Sequence, residues 1–410
     1  MKKYLKLLLC ISLVLYADMS LGAKDIGLLL DQNAGYGGTG ADGLSVGDNF
    51  DYSGSLIPRF TAFLDGGGTL YVSAGFRADY QNGAVFVPEL LRTELSLQSE
   101  NRGLTLGRMQ YSDPLGFIAD GLFDGASYAR ETENGIFSAG AWYTGLIYKK
   151  RAYITMTSGE LASYSGDPDY SDFLDTYFAP RRVLASLGWE HPGLRELLMV
   201  KLALLGQFDL SADKLHSQYL AGKITAPVRD FVFDLGACVE LIENSAADSS
   251  ADSSSSPGIG LAGELGIAWM IPAAIESRLS FLGRFSSGVV EGGRIDAFQP
   301  LSTKTQGSIL KAKLSSMSML SLDYIARLHE TFSAGITSSY FVRSDLAVFQ
   351  NYGTEGYLLG NEFSGRVYWS PVSDIQLNFG GGIFLPSMGN AAPKAEALWR
   401  LELGVILSLY

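Results

Sequence analysis

Between Leu70 and Tyr80 the chain alternates residue by residue. Leu70, Val72, Ala74, Phe76, Ala78 and Tyr80 fall on one parity, and Tyr71, Ser73, Gly75, Arg77 and Asp79 on the other. Successive side chains of an extended chain point to opposite faces, so this is a strand with one greasy side and one wet side. The pattern returns at Phe332–Arg343 and, with Leu320, Leu322, Tyr324, Ala326 and Leu328 as the apolar row, at Leu320–His329. A succession of such strands behind an export signal predicts an all-β fold: a transmembrane antiparallel β-barrel. Lipid takes the apolar face and water in a lumen takes the polar face.

Eighteen segments carry the signal, near 56–64, 69–81, 86–98, 103–111, 125–133, 135–148, 181–190, 197–211, 213–226, 230–244, 258–271, 275–287, 306–316, 318–329, 331–344, 355–369, 374–387 and 395–410. An even count of roughly 16–18 strands is expected, or 14 if the N-terminal segment is a plug. Residues 23–55 are rich in Gly, Asp and Asn and lack sustained periodicity, so they read as a leader or lumen plug, with the barrel over 56–410. The connections alternate in length, as barrel loops do, with long ones at 149–180, 245–257 and 288–305. Ser245–Pro257 is almost entirely Ser, Ala and Asp and has too little apolar surface to order itself. It is expected outside the cell.

The ends agree with export. Lys2 and Lys3 precede the apolar stretch Leu7–Tyr16, which is too short to span a bilayer as a helix. Ser20, Gly22 and Ala23 offer a cleavage site, so residues 1–22 read as a signal peptide. Cys10 sits too early for a lipoprotein cysteine. Its removal leaves Cys238 alone and rules out an intrachain disulfide. The last strand has an apolar row of Leu401, Leu403, Val405, Leu407 and Leu409 and ends on Tyr410. A terminal aromatic residue is a signal for the barrel-assembly machinery, although Tyr410 falls on the parity opposite that row.

Charged residues make up only 18% of the chain, against roughly 25% in soluble proteins. Glycine is abundant at 48 residues, and Tyr and Phe reach 21 and 22. That composition suits tight turns, crowded walls and interfacial aromatic girdles. The net charge of −12 argues against nucleic acid as a partner. Outer-membrane lipid and a small solute are the expected partners.

Several motifs weigh little. Gly35–Gly40 matches the dinucleotide fingerprint without a strand before it and a helix after it. Gly43–Gly47 matches the hydrolase elbow G-x-S-x-G, but no α/β rhythm surrounds His191, His216 or His329. Asp167, Asp169, Asp172 and Asp175 crowd one loop, yet their spacing fits no standard calcium loop. No enzyme, cofactor or metal site is expected.

Charges on the polar strand faces are the candidate pore-lining residues. The arginines are Arg77, Arg92, Arg108, Arg278, Arg284, Arg327, Arg343 and Arg366, and the carboxylates are Glu94, Asp124, Asp323 and Glu362. Asp234, Glu240 and Glu264 share those faces. A charge facing lipid at mid-depth costs roughly 2–4 kcal/mol in barrels, so the lumen is the favourable side. Such charges either hold the barrel in shape or form a constriction that selects solutes by sign.

Leu91-Arg-Thr-Glu-Leu, then Leu106-Gly-Arg-Met-Gln-Tyr, then Leu122-Phe-Asp-Gly-Ala126 resemble the alginate-export type of outer-membrane channel. Met109 stands where that type more usually has Gln. The resemblance implies a barrel of about eighteen strands with an arginine-lined lumen for an anionic solute, and carries over Arg108 and Asp124. A second likeness, in length, is to the long-chain fatty-acid transporters, whose plug would correspond to residues 24–55, but the Asn-Pro-Ala signature of that plug is missing. The residues favour a channel for small hydrophilic, anionic solutes in the outer membrane of a diderm bacterium. The rivals are a plugged transporter of hydrophobic substrates and a structural or adhesive surface barrel.

Overall fold

The structure, a computed structural model, describes residues 21–39, 50–65, 67–81, 83–156, 158–164, 166–194, 197–210, 214–245, 257–273, 275–290, 295–348 and 355–409. The expected signal peptide (all but its last two residues), the elbow motif at 43–47, nearly all of the Ser/Asp-rich loop and Tyr410 lie outside the described residues. Eighteen strands form one closed antiparallel sheet. In chain order they are β1 (Leu21–Thr39), β2 (Phe50–Leu64), β3 (Gly68–Tyr80), β4 (Ala84–Ser99), β5 (Arg102–Ser112), β6 (Asp120–Thr132), β7 (Gly135–Tyr143), β8 (Arg182–Leu194), β9 (Leu198–Asp209), β10 (Lys214–Val228), β11 (Phe231–Ser245), β12 (Gly258–Ile271), β13 (Glu276–Ser286), β16 (Met317–His329), β17 (Phe332–Arg343), β18 (Leu358–Val372), β19 (Ile375–Leu385) and β20 (Leu398–Leu409). Two further short strands, β14 (Thr305–Gln306) and β15 (Ala312–Lys313), pair only with each other. β1 against β20, from Leu28↔Leu409 to Thr39↔Leu398, closes the barrel.

The alternation explains which way the wall faces. Leu187, Leu235, Leu265, Phe285, Leu320, Ile336, Phe379 and Leu403 are all exposed, and register puts them on the outward parity of their strands. An apolar band of this size on the outside of a closed sheet is the surface of a transmembrane β-barrel, in which wall strands pair their backbones with their neighbours. The turns at one end, such as 65–67, 100–101 and 373–374, have two to four residues. The other end carries the long excursions 144–181, 287–316, 344–357 and 386–397.

Two expectations are corrected, and they offset in the count. Residues 21–39 are a wall strand rather than a leader or plug, pairing with β2 on one side and β20 on the other. Its signal is diluted because Asp31, Asn33, Gly35 and Gly37 face the lumen, where polar and small residues fit. A Cβ at Gly35 would run into Arg400 and Asp51. Conversely, 306–316 leaves the wall. Its apolar residues bury inside the lumen, where Leu314 joins Met317, Met319, Phe341 and Phe384. Burial against a lumen cluster imitates the spacing of a strand.

The wall is also split. Pairing of β4 with β5 stops at Thr93↔Arg108, so residues 84–92 run on with one free edge. Gly107, at φ +108°, marks the departure, and a side chain there would strike the Thr93 carbonyl. The excursion 144–181 covers this edge. Tyr177 Oη donates to Pro88 O at 2.6 Å, Arg151 holds Glu89 at 2.9 Å, and Tyr148 and Tyr177 pack on Val87. An uncovered edge would be open to pairing with another chain.

Candidate functional site

The lumen has two unlike sides. Along β8–β12 the inward residues are buried: Leu184, Leu205, Gln207, Tyr219, Cys238, Glu240 and Ala262. Two loops lie on them. The connection 113–119 brings in Leu115, Phe117 and Ile118, and the excursion 287–316 brings in Phe298, all in one apolar cluster with Tyr219, Cys238 and Ala262. Asp113 shapes the first loop by accepting from the backbone N–H groups of Leu115, Gly116, Ile118 and Ala119 at 2.7–3.1 Å. Burial pushes this carboxyl up, and the four N–H donors oppose that rise.

Polar anchors hold the longer excursion. The Glu362 carboxylate accepts from Ser308 N, Ser308 Oγ, Ile309 N and Leu310 N at 2.8–3.0 Å. Gln299 N donates to Glu240 at 2.7 Å, and Tyr219 Oη donates to Gln299 O at 2.7 Å. Arg284 bonds Gln306 at 2.8 Å and sits 3.2 Å from Glu264, which also takes Lys223 at 2.8 Å.

The opposite side, along β18–β20 and β1–β4, is wet and charged. Arg400 pairs with Asp51 at 2.7 Å and Glu402 at 2.5 Å. Arg77 pairs with Asp79 at 2.8 Å, and Arg92 pairs with Glu94 at 2.7 Å while lying over the Tyr71 ring. Arg366 bonds Asp323. Register sets Arg366 between Gly335 and Gly380, so its guanidinium lies over bare backbone. From the loop side, Lys311 reaches across to Glu402 at 3.2 Å. A cavity of about 260 Å³ opens here, bounded by Asn33, Ser308, Arg366, Tyr368, Asn378, Arg400 and Glu402. The water path is therefore eccentric, pressed between the folded-in excursion and this wall.

Of the residues singled out in the sequence, register places Arg77, Arg92, Glu94, Arg278, Arg284, Asp323, Arg327, Arg343, Glu362 and Arg366 on the lumen parity. They do not form one site. Arg343 is buried at the rim and donates to the Gly356 and Val348 carbonyls, where it pins the connection 344–357. Arg327 lies near the short-turn end against Glu276. Arg108 and Asp124 are a correction. They pair with each other at 2.8 Å, but on the parity of Leu104, Leu106 and Tyr128, which faces outward. Arg108 turns into the split in the wall and donates to the Leu90 and Leu146 carbonyls. It seals the wall instead of lining the pore.

Arg59, Arg400, Lys311, Asn33 and Asn378 went unnoticed in the sequence. The apolar row Leu401–Leu409 already fixed Arg400 on the lumen side. Arg59 stands opposite Gly27 on the lumen parity of β2, a signal that Ile57 and Pro58 beside it obscure. The fingerprint at Gly35–Gly40 falls on β1 as far as Thr39, and residues 40–49 after it lie outside the described residues. His191, His216 and His329 stand on β8, β10 and β16. In the acidic loop Asp167 binds Lys150 and Asp169 binds Ser171. Among the described residues no three His, Cys, Asp or Glu are grouped to hold a metal.

Fold and lumen together define a class: a closed eighteen-stranded β-barrel whose interior is narrowed by loops and lined with charge. No family model matches the sequence, and no curated protein matches it. Solved structures do. Pseudomonas aeruginosa OccK5 (OpdH) aligns with a TM-score of 0.59 at 10% identity, covering 94% of this chain and 98% of that one. P. aeruginosa OccK2 (OpdF) in complex with glucuronate gives 0.59 at 12% identity, covering 94% and 98%. The P. aeruginosa outer membrane protein opdK gives 0.55 at 12% identity, covering 94% and 98%. At this identity the likeness is one of fold.

Proposed function

We propose that this protein is an outer-membrane channel through which small hydrophilic, anionic solutes diffuse. The observation that carries the reading is the row of Arg366, Arg400, Arg59, Arg77 and Arg92 along one wet wall, faced by an excursion that narrows the path. A guanidinium presents a planar fork to a carboxylate, so an anion entering the narrow part trades hydration for charge-assisted hydrogen bonds. The lining carboxylates Asp51, Asp79, Glu94 and Glu402 compete for the same guanidinium groups. That competition keeps each contact weak, and conduction requires a solute that can leave as well as enter. The glucuronate complex of the OccK2 neighbour, a carboxylate ligand in a like fold, supports the choice of solute class. The alginate-type likeness adds no solute, because Arg108 and Asp124 serve the wall. A plugged transporter of hydrophobic substrates loses its plug, since residues 21–39 are a strand.

The test is single-channel recording of the refolded protein in a planar bilayer under a salt gradient. Steady conductance with a reversal potential on the anion side is the expected result. A folded barrel that conducts nothing, or prefers cations, overturns the reading.

A further inference from the structure

Beyond the wet wall, a second group of cations sits at the long-loop mouth. Lys149 and Lys150 on the excursion 144–181 and Lys313 on β15 line a niche of about 170 Å³, together with Tyr153, Thr303 and the apolar Ile154, Met156 and Leu161. The two excursions that form it are bonded to each other. Thr155 N donates to Leu301 O, and Thr303 N donates to Tyr153 O, each at 2.7 Å. The niche is therefore built by rigidly joined backbone.

Its charges are unbalanced. Lys150 is matched by Asp167 at 2.7 Å. Lys149 is only 4% exposed, yet no carboxylate or carbonyl among the described residues receives its ammonium. Burial and the neighbouring Lys150 push that ammonium down, with Asp167 opposing. Lys313 is exposed and has no ion-pair partner among the described residues either. The nearby cations Arg151 and Lys304 are already taken by Glu89 and Asp120. Three lysines against one aspartate leave two positive charges uncompensated in a chain whose net charge is −12. The Lys149 stem is buried while the residue lines the niche, so its ammonium is placed to receive an anion from solution.

We propose that Lys149, Lys150 and Lys313 form a binding site for a small dianion, such as a dicarboxylate or hydrogen phosphate, at the mouth of the barrel. The volume decides the size class. Pockets for drug-sized ligands begin near roughly 300 Å³, so this niche takes a few heavy atoms and not an oligosaccharide. Two uncompensated charges decide the valence. The Tyr153 and Thr303 hydroxyls add neutral donors. The site deepens the channel reading by placing a capture step before the narrow part, but binding here does not require conduction.

The experiment is calorimetric titration of succinate, and separately of inorganic phosphate, into the whole refolded protein in a non-ionic detergent. The variants are Lys149→Met, Lys149→Arg and, as a control at the short-turn end, Arg327→Gln. Loss of one charge-assisted contact should weaken succinate about ten-fold in Lys149→Met. Lys149→Arg should hold the affinity and show that the fold is intact, and Arg327→Gln should not change it. Acetate should bind more weakly than succinate in the wild type. Equal binding by wild type and Lys149→Met overturns the site, as does a wild type that binds neither dianion at millimolar concentration. If the barrel fails to conduct but the ten-fold loss is found, the niche stands and the channel reading falls.

Discussion

The two sides of the lumen start from the same strand chemistry and end differently. On β8–β12 the inward residues include Leu184, Leu205, Tyr219 and Ala262, and loops settle on them as a core. On β18–β20 and β1–β4 the inward residues include Arg366, Arg400, Asp31, Asn33, Arg77 and Asp79, and the excursion meets this wall through Glu362, Phe384 and Glu402 while leaving a cavity beside Arg366 and Arg400. An eighteen-stranded barrel is too wide to be filled by its own side chains. Which sector the loops fill follows from where the inward face is greasy. Stability should therefore concentrate on the packed side and ion selectivity on the wet side.

The strongest way to break that division is Arg182→Met. Arg182 is fully buried at the rim of the packed side, 2.6 Å from Glu160 and 3.6 Å from Asp209. Its removal takes the cation away from two buried carboxylates, so urea unfolding should show a loss of about 3–5 kcal/mol. Glu362→Ala comes next. It removes four hydrogen bonds that tether residues 308–310, and about 2–3 kcal/mol should go with them. Released from the wall, the excursion should also let single-channel conductance rise. Arg108→Ala should cost about 2 kcal/mol, because Asp124 is only partly shielded from water. The readable sign is faster proteolysis of the excursion 144–181, with conductance unchanged. Arg400→Gln is the converse case. Its pairs with Asp51 and Glu402 are half exposed, so stability should move by less than about 1 kcal/mol, while the reversal potential shifts toward cations.

Much of this was legible from alternation alone. The outward rows Leu70–Tyr80, Leu320–Leu328 and Leu401–Leu409 face outward as read. A parity pattern reports a buried-or-lipid face, however, and cannot say what covers it. Residues 306–316 alternate against a lumen cluster, and β1 hides its strand signal because a wet lumen accepts Asp31, Asn33 and Gly35. Arg108 and Arg343 show the second limit. Both are arginines in strands beside polar residues, and both are spent on carbonyls of neighbouring segments. Those partners, Leu90, Leu146, Val348 and Gly356, lie on the edge of β4 or in connections, and no spacing along the chain reveals them. The distinction between the packed and the wet side rests on where two excursions fold, which is a property of the assembled barrel.

The central claim, an eccentric path along β18–β20 and β1–β4, can be read by cysteine accessibility in a conducting bilayer. Asn378→Cys lies on the wet wall and Ser217→Cys under the packed loops, and the native Cys238 is buried. A negatively charged methanethiosulfonate reagent should step down the current of Asn378→Cys and leave the wild type and Ser217→Cys unchanged. Block at Ser217→Cys with none at Asn378→Cys would contradict the account.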